Sequence, residues 1–256
     1  MCLIVFAWNH HRRYRLILAA NRDEFYDRPT AKAHFWPDAP DVLAGRDLKE
    51  GGTWMGISRT DRFSAITNYR NPSGVKNNAR SRGFLVSDFL KSDIPAGKYL
   101  GDLQAQKGLY NDFNLLFGDH DDLYYVSSQA SEPIILSPGI YGLSNHLLNT
   151  SWPKVKSARD SLTGTISGDR NFSMEELFRS LSDRVVPDDD QLPQTGVGIE
   201  WERILGPVFI TSTVYGTRSS TVLLIDHDNM ATLVDRTFDM TDPENFEQET
   251  FHTCLK

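Results

Sequence analysis

Five residues scattered along this chain have the types needed to cleave an acyl bond together: Cys2, Asp23, Asn68, Asn145 and Arg218. Cys2 directly follows Met1. Removing that methionine would turn the Cys2 backbone nitrogen into an α-amine of pKa about 7.7–8.0, able to act as base for a thiol of pKa about 8.5. While Met1 remains, the same nitrogen is a peptide N–H and the thiol lacks its base. A thiolate nucleophile also needs a group to orient the amine and donors for the developing oxyanion. Asp23 suits the first task, and Asn68 and Asn145 carry amides for the second. Arg218 can keep the surroundings of the thiol positive, which lowers a cysteine pKa. Singly, each has a plainer reading. A cysteine is a small apolar residue, Asp23 a turn former or a partner for Arg22, the asparagines are turn residues, and Arg218 is a surface cation. Their shared position, each beside an end of an apolar strand-like run, joins them.

The elements that must hold these residues follow from periodicity and breakers. Leu3–Ala7 and Leu16–Ala20, joined by the polar turn Asn9-His10-His11-Arg12-Arg13, form a hairpin whose open end carries Cys2 and the run Asn21-Arg22-Asp23-Glu24. Residues 29–41, with three prolines, are expected to be an ordered loop. Residues 51–57 and 63–67 are expected to add two strands to the hairpin's sheet, with Pro72 ending the pairing after Asn68 and Arg70. Helices are predicted over 81–92 and 97–107, followed by strands at 114–117, 123–126, 134–136 and 141–143. The last of these runs into Ser144-Asn145-His146. Two further helices are expected, one capped by Ser151 before Pro153 and one opened by the capping box Ser173-Met174-Glu175-Glu176. Residues 187–202 read as a polar loop, and strands at 208–213, 220–226, 231–236 and 250–254 close the chain. This order fits an α+β four-layer αββα sandwich, two antiparallel sheets between helix layers, formed by residues 1–256 as a single domain.

Composition narrows the function classes. A chain of 256 residues can bury roughly 70–75% of its extended surface, so its core needs no cofactor or disulfide. The net charge of −7, from 27 basic and 34 acidic side chains, and the absence of a long basic run argue against general nucleic-acid binding. No apolar stretch is long enough to span a membrane, and the start of the chain lacks the pattern of a secretory signal. The two cysteines, Cys2 and Cys254, are therefore expected as free thiols in a cytoplasmic protein.

Several motifs occur in order along the chain: Ala20-Asn21-Arg22-Asp23-Glu24 after Cys2, Gly45-Arg46-Asp47, Gly51-Gly52-Thr53-Trp54, Thr67-Asn68-Tyr69, Gly142-Leu143-Ser144-Asn145 and Trp152-Pro153-Lys154. Together they resemble the Asn-Arg-Asp-Glu family, that of transport and Golgi organisation protein 2. The resemblance implies an Ntn-hydrolase-like αββα fold, distantly similar to choloylglycine hydrolases and penicillin V acylases. On that group's pattern Cys2 matches the nucleophile, Asp23 its aspartate, Asn68 and Asn145 the oxyanion and amine contacts, and Arg218 the arginine near the thiol. Asn21, Arg22, Arg46, Arg70 and His146 are the expected ligand contacts. One departure is that the group carries an arginine three residues before the aspartate, where this chain has Ala20.

The implied activity is amide hydrolysis of a small acylated molecule with no required cofactor. The alternative implied by the family is a non-catalytic carrier of haem, or of acyl-CoA or lipid. In a haem carrier, His10, His11, His34, His146 or Cys2 would be the axial contacts. There is no Cys-x-x-Cys-His motif, and His10-His11 sits in the expected hairpin turn.

Overall fold

A computed structural model describes residues 2–167 and 171–256. In chain order its elements are strands β1 (Cys2–Trp8), β2 (Tyr14–Phe25), β3 (Thr30–Trp36), β4 (Ala39–Asp47), β5 (Met55–Ser58) and β6 (Arg62–Asn68), then helices α1 (Gly83–Lys91) and α2 (Ala96–Gln106). Strands β7 (Phe113–Gly118), β8 (Leu123–Ser127), β9 (Ile134–Ile135) and β10 (Gly139–Leu143) follow. Helices α3 (Pro153–Ile166), α4 (Met174–Arg179) and α5 (Ile199–Leu205) precede the final strands β11 (Tyr215–Asp226), β12 (Met230–Phe238) and β13 (Phe246–Cys254).

The chain forms two compact units, each assembled from separate stretches. One comprises the segment up to Asp27 with Ser137–His252, and the other Arg28–Leu136 with Thr253–Lys256. The first unit is built on a six-stranded sheet ordered β10-β1-β2-β11-β12-β13. One face of its central strands presents Leu3, Val5, Ala7, Ile17, Ala19, Val222 and Leu224. These pack against Val155, Ala158 and Leu162 of α3 and Leu177 and Phe178 of α4. Gly142 of β10 allows the close approach, since a Cβ there would lie 2.7 Å from Val155 Cγ1. The second unit is a seven-stranded sheet in sequence order, β3 to β9, with Phe89 of α1 and Tyr99 of α2 packed on Val42, Ile66, Phe113, Leu115 and Phe117.

Arg236 clamps the first unit's edge. Its guanidinium lies 3.8 Å from the Phe178 ring centroid and 4.5 Å from that of Phe246, while it pairs with Glu175 at 2.6 Å and donates to Gln248 at 3.0 Å. Four neighbours from two segments, α4 and β13, thus depend on one planar cation. Arg236→Ala is expected to cost about 2 kcal/mol, and lysine to recover little because it can neither fork nor stack. Thermal melts of the two variants check this.

The structure departs from the sequence expectation in several places. The hairpin is present, but β2 continues through Asn21-Arg22-Asp23 to Phe25 instead of stopping at Ala20. The first four expected strands do not form one sheet: β1 and β2 pair with β10 and β11, while the strands over 55–58 and 62–68 belong to the other sheet. Residues 29–41, expected as a loop, supply β3 and the start of β4. Pro29 precedes β3, Pro37 falls between the strands, and Trp36 Nε1 donates to Ala44 O at 3.1 Å. Ser151 does not cap α3. Trp152 flanks it without a side-chain cap, and Pro153 opens the helix. The capping box at Ser173 and Glu176 forms as expected. Residues 199–202, expected in the loop, begin α5, and the expected strand over 208–213 is reduced to an isolated Thr211–Gly216 bridge.

Candidate active site

The site residues of the first unit gather where β1, β2 and β11 end together. The hairpin register pairs Cys2 with Arg22 and Leu3 with Asn21. Because side chains alternate across a strand, Leu3, Asn21 and Asp23 share the helix-packed face. Cys2, Ile4, Ala20 and Arg22 share the other.

Asn21 is fully buried, and its amide is committed to the protein itself. Its Nδ2 donates to Leu181 O and Val208 O, both at 2.9 Å, and its Oδ1 accepts from Ser220 Oγ at 2.5 Å. It was expected among the ligand contacts, but here it pins the 181–208 segment to the sheet.

Asp23 is 1% exposed. Its Oδ1 accepts from Thr217 Oγ1 at 2.7 Å, and its carbonyl accepts from Tyr215 Oη at 2.9 Å. Burial pushes its carboxyl up from the ordinary range, while the Lys154 ammonium, the Thr217 hydroxyl and the Arg22 guanidinium pull the other way. Lys154 is itself buried in the first turn of α3, donating to Leu205 O at 2.9 Å.

The sign of this shift makes a prediction. Between the ordinary carboxylate range and its raised folded value, Asp23 holds a proton in the native chain that the unfolded chain has lost. Stability therefore falls as pH rises through that window, and the cost is complete above it. Asp23→Asn is neutral at every pH and keeps an acceptor for Thr217, so at pH 7 it is expected to melt a few degrees higher than the natural chain. Melts across pH check it; a lower melting temperature contradicts it.

Cys2 is buried beside these groups. Burial pushes its thiol up, and the Asp23 charge adds to that; Arg22 and a hydrogen bond from the Asp23 backbone N–H oppose it. The ground state is therefore the thiol, and attack requires a base. Ser144 Oγ lies 3.1 Å from Cys2 O and 3.2 Å from Asn145 Oδ1, sharing its one proton between them. Since β10 pairs Leu143 with Ile4, the fully buried Asn145 falls level with Cys2 just beyond the strand.

Arg218 occupies a β-bulge. Thr217 pairs with Asp23 but Ser219 with Arg22, leaving Arg218 as the extra residue. Its Nη1 donates to Phe25 O at 2.9 Å and Tyr26 O at 3.3 Å, and burial together with the nearby Arg22 charge lowers its pKa. Gly216, next to the bulge, leaves room for Ile210 O, which a Cβ would approach to 2.7 Å. His146 follows Asn145. Its Nδ1 lies 3.0 Å from Thr150 Oγ1, and its ring is tilted on Trp152 at 5.7 Å. Burial lowers the His146 pKa.

The remaining expected residues belong to the second unit. Asn68 closes β6, level with Phe113. Arg46 is held in a bidentate pair with Asp38 at 2.5 and 3.0 Å, 4.3 Å above the Trp36 ring. Arg70 is 8% exposed. His34, weighed as a haem contact, has Nδ1 2.7 Å from Lys32 O. Among the described residues no group of three or more His, Cys, Asp or Glu side chains could hold a metal ion, and no helix is long and apolar enough to cross a membrane. Cys2 and Cys254 are free thiols. Thr217, Tyr215 and Ser220 were missed by sequence reasoning, as was any role for Lys154 and Ser144 beyond their motifs. Lys154 had a signal in the Trp-Pro-Lys motif, and the others only in their nearness to Arg218 or Asn145.

Comparison with known proteins places this site in context. The family model described as Transport and Golgi organisation 2 matches residues 1–240. The Transport and Golgi organization protein 2 homolog of Bos taurus is 38% identical over 276 residues, and that of Homo sapiens 35%, each covering 100% of both chains. Among solved structures, the N-acylethanolamine-hydrolyzing acid amidase ortholog of Caenorhabditis elegans aligns over 87% of this chain and 92% of its own, with a TM-score of 0.52 at 13% identity. That likeness gives the fold class, α+β and Ntn-hydrolase-like, as the sequence leads one to expect.

Proposed function

This chain belongs to the transport and Golgi organisation 2 family, and from the geometry around Cys2 we propose that it is an N-terminal-nucleophile amidohydrolase acting on acylated linear amides. The observation that carries the reading is the convergence at one strand end of a buried thiol, the Arg22 cation paired with it across the hairpin, and the buried Asp23 carboxylate whose charge acts on that thiol. The substrate class is suggested by the name of the structurally similar amidase, since an N-acylethanolamine is an acylated linear amide.

After Met1 is removed, the Cys2 α-amine takes the thiol proton and Sγ attacks the amide carbon. The carbonyl oxygen becomes an oxyanion that accepts from the Asn145 carboxamide, whose own oxygen is turned to Ser144. The ammonium, oriented by Asp23, returns the proton to the leaving nitrogen as the C–N bond breaks. Water, deprotonated by the same amine, then cleaves the thioester and restores the thiol. Arg22 stands on the thiol's face and pairs with Cys2, two cross-strand pairs beyond Ala20, which pairs with Ile4. It supplies the cation that the distant acylases carry at the Ala20 position.

Hydrolysis of N-acyl 7-amino-4-methylcoumarin amides with short and long acyl chains tests the reading. Protein lacking Met1 is expected to release the fluorophore and protein retaining Met1 to be inert. Equal turnover by both would sink the mechanism.

A further inference from the structure

From the bulge in β11 we infer that Thr217 is the positioning residue of Asp23, fixing the carboxylate that the Cys2 amine needs. The inference rests on the reading of Cys2 and Asp23 as one reacting pair. Thr217 Oγ1 accepts from Ile210 N–H at 2.9 Å, and Thr217 N–H donates to Ile210 O at 2.9 Å, so the residue is clamped from the 206–214 segment. With its oxygen facing that N–H, the hydroxyl proton is directed at Asp23 Oδ1, 2.7 Å away. Both side chains are buried, Thr217 at 4% and Asp23 at 1% exposure, so water does not compete for the bond.

The bulge makes this possible. Asn21 and Asp23 lie two apart on one face of β2, and each takes a hydroxyl from β11, from Ser220 and Thr217 respectively. Residues three apart on a regular strand face opposite ways. The extra residue, Arg218, brings both hydroxyls to the same face and carries its own side chain to the carbonyls of Phe25 and Tyr26. One irregularity therefore serves both the carboxylate and the arginine's backbone contacts.

Among the described residues, the charged and titratable groups acting on Asp23 include Lys154 from α3, Arg22 from β2, the Cys2 thiol from β1 and Tyr215 from β11, whose Oη donates to Asp23 O. Thr217 differs from them in giving direction: its hydroxyl fixes one carboxylate oxygen. A hydrogen bond to the charged form favours that form. Its loss is thus expected to move the Asp23 titration up by about one pH unit, the equivalent of a bond to a charged group.

The test follows the Asp23 13Cγ shift against pH in the natural chain, Thr217→Val and Thr217→Ser, with Asp23→Asn assigning the resonance. Thr217→Ala, which leaves room for a water at Ile210 N–H, replaces the valine variant if that does not fold. The inference expects serine to match the natural chain and valine or alanine to titrate about one unit higher. An unmoved titration in the folded valine or alanine variant overturns it, as does a serine variant that shifts with them. The readout needs no amide turnover. Alkylation of Cys2 by iodoacetamide in Met1-free protein, with exposed Cys254 as internal reference, separately reports on the reacting pair. If Cys2 is no more reactive than Cys254 while the Asp23 titration still shifts as expected, the amidase reading fails and the Thr217 bond stands.

Discussion

Cys2→Ala is expected to abolish hydrolysis of acylated amides, and Cys2→Ser to lower it by about three orders of magnitude or more. Alanine removes the attacking atom, and the remaining donors and cations cannot form an acyl-enzyme. Loss of a nucleophile in a comparable apparatus costs up to about a million-fold. Serine keeps an attacking atom, but a hydroxyl is far harder for an α-amine to deprotonate than a thiol. The fold should tolerate both changes, because Cys2 lies at the start of β1, outside the apolar cluster formed with α3 and α4. Turnover of a coumarin amide, with thermal melts to show that the variants are folded, decides the matter. Alanine-variant turnover within tenfold of the natural chain would leave Cys2 without a role.

Asn21→Ala is expected to have the largest effect on stability. It strips partners from Leu181 O, Val208 O and the Ser220 hydroxyl at one buried point. Each buried polar group left unsatisfied costs about 1–3 kcal/mol, so the sum should reach at least about 3 kcal/mol and lower the melting temperature by about 10 °C. Asn21→Asp should be no milder, since a carboxylate cannot donate to the two carbonyls and would repel them. Calorimetry on both variants checks this, and an alanine variant melting within a degree or two of the natural chain contradicts it. The expectation separates two neighbours: Asn21 holds the fold, whereas Asp23 costs stability and serves the chemistry.

Those roles show what the sequence carried. The hairpin was legible because two apolar runs flank a polar turn, and its register already pairs Cys2 with Arg22. The capping box at Ser173 was legible because it is local. Partnership between β2 and β11 was not, since nearly two hundred residues separate Asp23 from Thr217. The bulge at Arg218 has no local signature such as a glycine at its extra position, so alternation alone would put Thr217 and Ser220 on opposite faces. The loop expected over 29–41 became strand because the prolines fall where they interrupt little pairing and Trp36 anchors β3 to β4. The expected strand at 208–213 failed because its polar groups serve the site: Val208 O takes Asn21, and Ile210 holds Thr217. His146 was singled out as an imidazole near the site, but its ring contacts Thr150 and Trp152 within its own loop.

The most direct test of the central claim is the intact mass of the purified natural protein, acid-quenched during turnover of an N-acyl coumarin amide. The account predicts a chain lacking Met1 that carries one acyl group, mapped by fragmentation to Cys2 and absent from Cys2→Ala. A chain that retains Met1, or one that turns the amide over with no acyl group ever on Cys2, contradicts it.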